Sequence, residues 1–317
     1  MDRNAARVIH EIPLERRTLH GHFSPDLEPI LTIDSGDTIA FACLDAGWHV
    51  RPFEKFEPRD AKLDEGHALI GPVEILGARA GQTLEVRIDA VRVGDVGFTV
   101  AGGWSTWLND RLGVADGEDY VLRWELDADT RLGRDDHGRE VELRPFLGVL
   151  GMPPEKPGVY ATGPPRASGG NIDCKELVAG TKLFLPIPVD GAHFSAGDGH
   201  ARQGDGESSG TAIECPLERV ELTLTVHDDF ELSAPIAWTS DAWITFGFDV
   251  DLDDAAAAAV DSMLGLMLRE HGLDRRDALA LASIVVDVRV TQLVNGVLGV
   301  HAVLPHDAFR QATIREA

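Results

Sequence analysis

The chain has 317 residues, with a hydrophobic fraction of 44% and a charged fraction of 26%, the range of an ordinary globular protein long enough to bury its own core. Asp and Glu number 53 against 29 Lys and Arg, a formal net charge of -24; such a surface repels phosphate backbones and anionic lipid, which argues against a nucleic-acid or membrane partner. Cys43, Cys174 and Cys215 are odd in number and widely spaced, so they read neither as a disulfide framework nor as a closed zinc knuckle, and a reducing cytoplasm suits them.

The stretch Met1 to Arg17 is charged and lacks the apolar run of a leader. Ala255 to Leu268 is apolar but interrupted by Asp261, too short and too polar to span a bilayer. Leu31–Ile33 and Thr38–Phe41 flank Asp34-Ser35-Gly36-Asp37 and predict strand, turn, strand. Leu84 to Val91 alternates apolar and polar residues, the pattern of a strand with one buried face. Val121–Leu126 and Glu140–Leu143 predict further strands. From Pro145 to Gly210 the chain is rich in Gly and Pro and reads as a long functional loop region, with short strands at Thr181–Leu185 and Ala192–Ser195. Val220–Val226 is another alternating strand. Helix is expected only late: Ala255–His271, capped by Asp253 or Asp254 and stopped by Gly272, then Arg275 to about Ile284, capped by Asp274. The stripe Met263, Leu264, Met267 and Leu268 on the first helix is expected to pack into the core. Val285 to Val294 returns to extended structure. Strand runs followed by a helical pair predict a mainly β fold with α+β elements, in which a β-sandwich-like catalytic unit carries the two late helices.

The acid is spread along the chain, and lysine occurs only at Lys55, Lys62, Lys156, Lys175 and Lys182. Acid-rich, lysine-poor surfaces suit high salt, which screens self-repulsion; an arginine-preferring, GC-rich genome yields the same bias.

Chemistry concentrates in the Gly-framed stretch Gly197 to Glu207, which holds Asp198, His200, Gln203, Asp205 and Glu207. Carboxylates and imidazole are ligands for zinc or another divalent ion, although Gly-Asp pairs are also ordinary turn formers. Asp198 and His200 are two apart and share a face if the segment is a strand. Ser168-Gly169-Gly170-Asn171-Ile172-Asp173 adds an amide and a carboxylate at a glycine turn. His20 and His22 are two apart near the start, and His67 follows Gly66 at a turn. His49, His193, His227, His271 and His301 have no visible partner. Ser168 follows no G-x-S-x-G elbow, which leaves it unsupported as a serine-hydrolase nucleophile, and no G-x-G-x-x-G supports a phosphate cradle.

Taken together, these stretches resemble the acetamidase/formamidase family. The resemblance begins at His20-Gly21-His22-Phe23-Ser24 and Ser35-Gly36-Asp37-Thr38. It continues through His67, Gly71-Pro72-Val73, Gly77 to Leu84 and Gly148-Val149-Leu150-Gly151. Its most specific parts are Gly169 to Asp173 and Gly197 to Glu207, and it closes on Asp287 to Gly296. It implies one catalytic unit over 1–317, divisible into a β-rich half, 1–145, and a site-bearing half, 146–317. It also implies hydrolysis of a short aliphatic amide such as formamide or acetamide, a bound divalent metal (zinc, or calcium), and a homo-oligomer. On this basis Asp173, His200 and His22 are expected to hold the metal. Glu207 and Asp198 are expected in catalysis, with Glu207 as the proton carrier, and Asn171, Gln203 and His67 in substrate binding. His193 stands where the family usually has an apolar residue. The competing readings are a hydrolase of another small C–N substrate, cyclic or urea-like, and a non-catalytic metal- or ligand-binding β protein on the same scaffold.

Overall fold

A computed structural model of the protein describes residues 8–51, 53–229 and 231–309. Two sheets organise it. The larger has nine strands. In spatial order they are Ile9–Ile12, Thr38–Cys43, Leu217–His227, Thr83–Val93, Lys182–Pro186, Ile236–Trp238, Ala242–Asp249, Leu298–Pro305 and Asp287–Gln292. The second sheet carries most of the Gly-rich stretches. It runs Gly169–Asn171, Phe146–Gly151, Phe194–His200, Leu69–Ile75 and Leu19–His20, with Leu31–Ile33 also paired to Leu69–Ile75.

The period-two alternation of strands sets the layers. Leu183 and Leu185 point into a core shared with Ile70, Leu147 and Phe194 of the second sheet. Phe184, between them, points the other way, into a second core with Ala259, Met263 and Met267. One face of the large sheet therefore packs on the site-bearing sheet and the other is covered by helices. A four-stranded meander, Val96–Ala101, Tyr120–Asp127, Leu132–Asp135 and Glu140–Glu142, completes the β structure apart from one small hairpin. Mainly β structure with a late helical pair is what the alternation and caps predict.

A short helix α1 (Trp107–Leu112) precedes the two late ones, α2 (Leu252–His271) and α3 (Arg275–Val285). Gly272 ends α2 in a left-handed conformation and Asp274 caps α3 as expected. The cap of α2 is corrected: Asp251, rather than Asp253 or Asp254, accepts from the N–H groups of residues 253 and 254. The two later aspartates instead lie in the first turn, where they favour the positive end of the helix dipole. At Gly247 an added Cβ would stand 2.1 Å from the Ala255 carbonyl, so α2 lies with its backbone directly against the strand Ala242–Asp249. No described helix is long and apolar enough to cross a membrane.

The segment 145–210 is less loop-like than its composition suggests. It contributes the strands Phe146–Gly151, Gly169–Asn171, Lys182–Pro186 and Phe194–His200. The strand expected at 192–195 starts two residues later, because Ala192 and His193 hold positive φ of 63° and 54°. Glycine serves in this sheet to let backbones approach. A Cβ on Gly151 would lie 2.2 Å from the Gly170 nitrogen, and one on Gly197 2.1 Å from the Ala68 carbonyl.

Candidate active site

Asp198 and His200 both lie on the strand Phe194–His200 and are buried. Across the pairing, His200 stands opposite Glu214 in an antiparallel bridge. Its Nε2 is 3.3 Å from Asp198 Oδ1 and 3.3 Å from Glu214 Oε1, and the ring meets Phe146 edge-on at 4.9 Å. Asp173 arrives from the turn after Gly169–Asn171. Asn295 Nδ2 donates to its Oδ2 at 2.6 Å, and Gln203 Nε2 donates to its backbone carbonyl at 2.8 Å. Glu207 follows the same Gly-framed segment and is buried. Asp173, His200 and Glu207 bring one ligand atom each within 4.8 Å of one another, and so do Asp198, His200 and Glu214.

Gly148 makes this convergence possible. A Cβ there would stand 2.3 Å from Asp198 Oδ2 and 2.6 Å from Asp173 Oδ1, so both carboxylates occupy the space a side chain would fill. The backbone is held in a costly form at the same place. Asp173, Asp198 and Glu207 take positive φ of 51°, 66° and 44°, a region that L-residues enter at roughly 1–3 kcal/mol each and that concentrates at functional sites.

Four buried carboxylates around one imidazole cannot all ionise without added positive charge. Burial pushes Asp173 up to about 7, the cation at His200 opposing it and the charges of Asp198 and Glu214 adding to it. Burial, then the Asp173 charge, raises Glu207 well above the ordinary range, and burial raises Glu214. Burial would raise Asp198 too, but the charges at His200 and His67 bring it below its usual value. Burial would lower His200, yet Asp198 and Glu214 lift it well above 6.5.

The residues fit a divalent cation on the geometry alone. Asp173 Oδ1, His200 Nδ1, Glu207 Oε2 and Glu214 Oε2 are buried and have no hydrogen-bond partner. Leaving such atoms unpaired costs about 1–3 kcal/mol each, more when charged, and carboxylate oxygens with one imidazole nitrogen are a donor set for zinc or a similar ion. His200 has one nitrogen held between carboxylates and the other open, the usual arrangement of a metal-ligating histidine.

A cavity of about 240 Å3 opens on the cluster, lined among others by His49, His67, Phe98, Asn171, Asp198, His200, Glu207, Glu214 and Asn295. Asn171 presents an Oδ1 without a partner. The His67 backbone N–H donates to Thr162 Oγ1 at 2.8 Å, and His67 Nε2 lies 3.9 Å from Asp198 Oδ2.

Of the residues singled out in sequence, Asp173, Asp198, His200 and Glu207 come together, and Asn171 and His67 line the cavity. Two do not occupy the expected places. His22 belongs to none of the ligand groups among the described residues; its Nδ1 is bonded to the Leu63 carbonyl at 3.0 Å. Gln203 is outside the cavity lining, its amide nitrogen held by the Asp173 carbonyl. His193, the departure from the family pattern, is not a lining residue either. Sequence reading passed over Glu214, Asn295 and the pair Asp45–His49, in which His49 Nδ1 lies 3.0 Å from Asp45 Oδ2.

The profile of the Acetamidase/Formamidase family matches residues 9–157 and 156–311. A putative formamidase of Schizosaccharomyces pombe is 26% identical over 78% of this chain and 78% of its own length. An acetamidase of Mycolicibacterium smegmatis is 25% identical over 63% of this chain and 64% of its own. The crystal structure of an acetamidase from Bacillus halodurans superposes with a TM-score of 0.81 at 27% identity, covering 93% of this chain and 97% of that one. With profile and fold agreeing over almost the whole described chain, the protein belongs to the acetamidase/formamidase family of amidohydrolases.

Proposed function

We propose that the protein hydrolyses a short linear amide, of the size of formamide or acetamide, to a carboxylate and ammonia, with a divalent cation held by Asp173 and His200 beside Glu207. The carrying observation is a buried cluster beside one small cavity: Asp173, His200 and Glu207 lie together, Asp173 Oδ1 and His200 Nδ1 have no hydrogen-bond partner and are free to hold an ion, and Glu207 Oε2 is unpartnered next to them. Names of relatives support the substrate class, and a volume of about 240 Å3 suits a ligand of a few heavy atoms better than the larger pockets typical of drug-sized molecules.

An unactivated amide resists water because its carbonyl is resonance-stabilised and its amine leaves poorly. When bound, a divalent ion supplies Lewis acidity towards the carbonyl and lowers the pKa of water. This chain's own residues supply the rest. Asp198 and Glu214 face Nε2 of His200 and fix the ring, leaving Nδ1 as the ligand atom. Asn295 takes one oxygen of Asp173 and leaves the other free. Asn171 Oδ1 accepts from the substrate NH2 group and orients the amide. Glu207 Oε2 takes the proton from the attacking water and returns it to the departing nitrogen, the role of a general base that becomes a general acid. Phe98 and the buried wall limit the acyl group; each added methylene changes discrimination by only about 1–3 kcal/mol, so a panel of amides should show a graded preference.

The deciding experiment is ammonia release from formamide and acetamide before and after dialysis against a chelator. Activity should disappear with the metal and return when it is restored. Full turnover by metal-free protein rejects the cation, and no ammonia from any short amide at any metal loading rejects the reaction.

A further inference from the structure

A second set of ligand-type side chains lies next to the candidate active site without lining its cavity. Cys174 directly follows Asp173, Glu176 lies two residues further on, and His301 comes from the strand Leu298–Pro305 of the large sheet. Their donor atoms lie within 4.8 Å of one another. Glu176 divides its carboxylate. Oε1 faces Arg289 at 3.4 Å and Lys175 at 4.0 Å. Oε2 faces Cys174 Sγ at 3.3 Å and His301 Nε2 at 3.8 Å. The outer cations have further partners, Asp205 for Lys175 at 2.6 Å and Asp287 for Arg289 at 3.3 Å, so the inner oxygen is not needed to neutralise them.

His301 supplies an independent observation. It is fully buried, with 0% exposure. Its Nδ1 is bonded to Thr291 Oγ1 at 2.8 Å, while Nε2 has no hydrogen-bond partner. The 3.8 Å gap to Glu176 is too long for a hydrogen bond. An imidazole anchored at one nitrogen and open at the other, towards a thiol and a carboxylate, is arranged as a metal ligand.

We infer that Cys174 Sγ, Glu176 Oε2 and His301 Nε2 form a second cation site, distinct from the catalytic cluster, for a zinc-class divalent ion. A thiolate with an imidazole selects zinc over the hard ions calcium and magnesium. Thiolate and carboxylate together offset the double positive charge, and binding releases the thiol proton to solvent. The site joins the segment that follows Asp173 to the large sheet. The Asn295–Asp173 hydrogen bond ties the same segment to the turn between the last two strands. The ion is thus a clamp that positions Asp173, while the catalytic cluster carries the reaction.

The test loads the full-length protein with cobalt(II) and records its near-ultraviolet absorption. A thiolate-to-cobalt charge-transfer band is expected. The catalytic cluster offers only oxygen and nitrogen donors and cannot produce it, so the readout is independent of whether amides are hydrolysed. Cys174→Ser should abolish the band and lower zinc bound at equilibrium by about one ion per chain, whereas Cys43→Ser should keep both. No band in the cobalt-loaded wild type, or an undiminished band in Cys174→Ser, overturns the site. If Cys174→Ser does not fold, His301→Gln replaces it, and the wild-type spectrum still decides.

Discussion

Glycine 148 is the residue on which the candidate site closes. Its missing side chain is where Asp173 and Asp198 meet, and its φ is not among the positive values, so alanine is acceptable to its own backbone and collides first with the two carboxylates. Gly148→Ala should therefore weaken metal binding by about 10–100-fold, the usual effect of disturbing groups that orient ligands, with the unfolding midpoint nearly unchanged; metal titration beside thermal melts checks both halves. Glu207→Gln keeps the shape and removes the proton acceptor. It should retain metal and lose about 10²-fold or more in kcat, and near-normal turnover would remove Glu207 from its role. At this scale the sequence was legible where chemistry is gathered locally: Asp198, His200 and Glu207 stand together between glycines. Glu214 gave no such sign, because it sits between Ile213 and Cys215 as an ordinary polar residue and reaches His200 only through cross-strand pairing. His49 has Asp45 four residues before it, but only tertiary packing brings His49 to the cavity wall.

Among the elements, the short strand Leu19–His20 is held to the site sheet by a neutral histidine. The His22 carbonyl can only accept, so His20 Nδ1 carries the hydrogen of the 2.6 Å bond, and Nε2 accepts from Ser195 Oγ at 3.0 Å. Burial lowers His20 from 6.5 to about 4. Between those values the unfolded chain binds the proton more readily than the native one, so stability is complete above pH 6.5 and falls as acid is added, levelling off below about 4. The span corresponds to a loss of roughly 3 kcal/mol. Denaturant titrations across this window should show the wild type losing more stability than His20→Gln; parallel curves would remove His20 as the cause. Elements defined by local rules, such as the α3 cap at Asp274 and the alternation at 220–226 within the strand Leu217–His227, were readable from sequence. The Gly-rich strand Phe146–Gly151 was not, and Phe194–His200 was legible only at its start, since their glycines mimic turn composition and only the close approach of neighbouring backbones explains them.

For the molecule as a whole, a net charge of -24 favours expansion, and added salt screens it. Thermal midpoints should rise between low and molar sodium chloride; a flat or falling series would leave the arginine-rich composition as the better account of the charge bias. The fold class was legible at this scale because strand patterns dominate the chain and helices come late. The partition into two large sheets was not. It depends on which strands pair across long separations, and periodicity assigns faces without assigning neighbours.

One such pairing has a consequence for biosynthesis. Leu217–His227 is inserted between Thr38–Cys43 and Thr83–Val93, antiparallel to both. The earlier two strands leave the ribosome first and have nothing to join them until the third is made, a delay on the order of ten seconds at ordinary rates of translation. Through that interval the nascent chain carries two unsatisfied strand edges rich in Ile, Val and Leu, and it is then, rather than after release, that the polypeptide has most need of a chaperone's shelter.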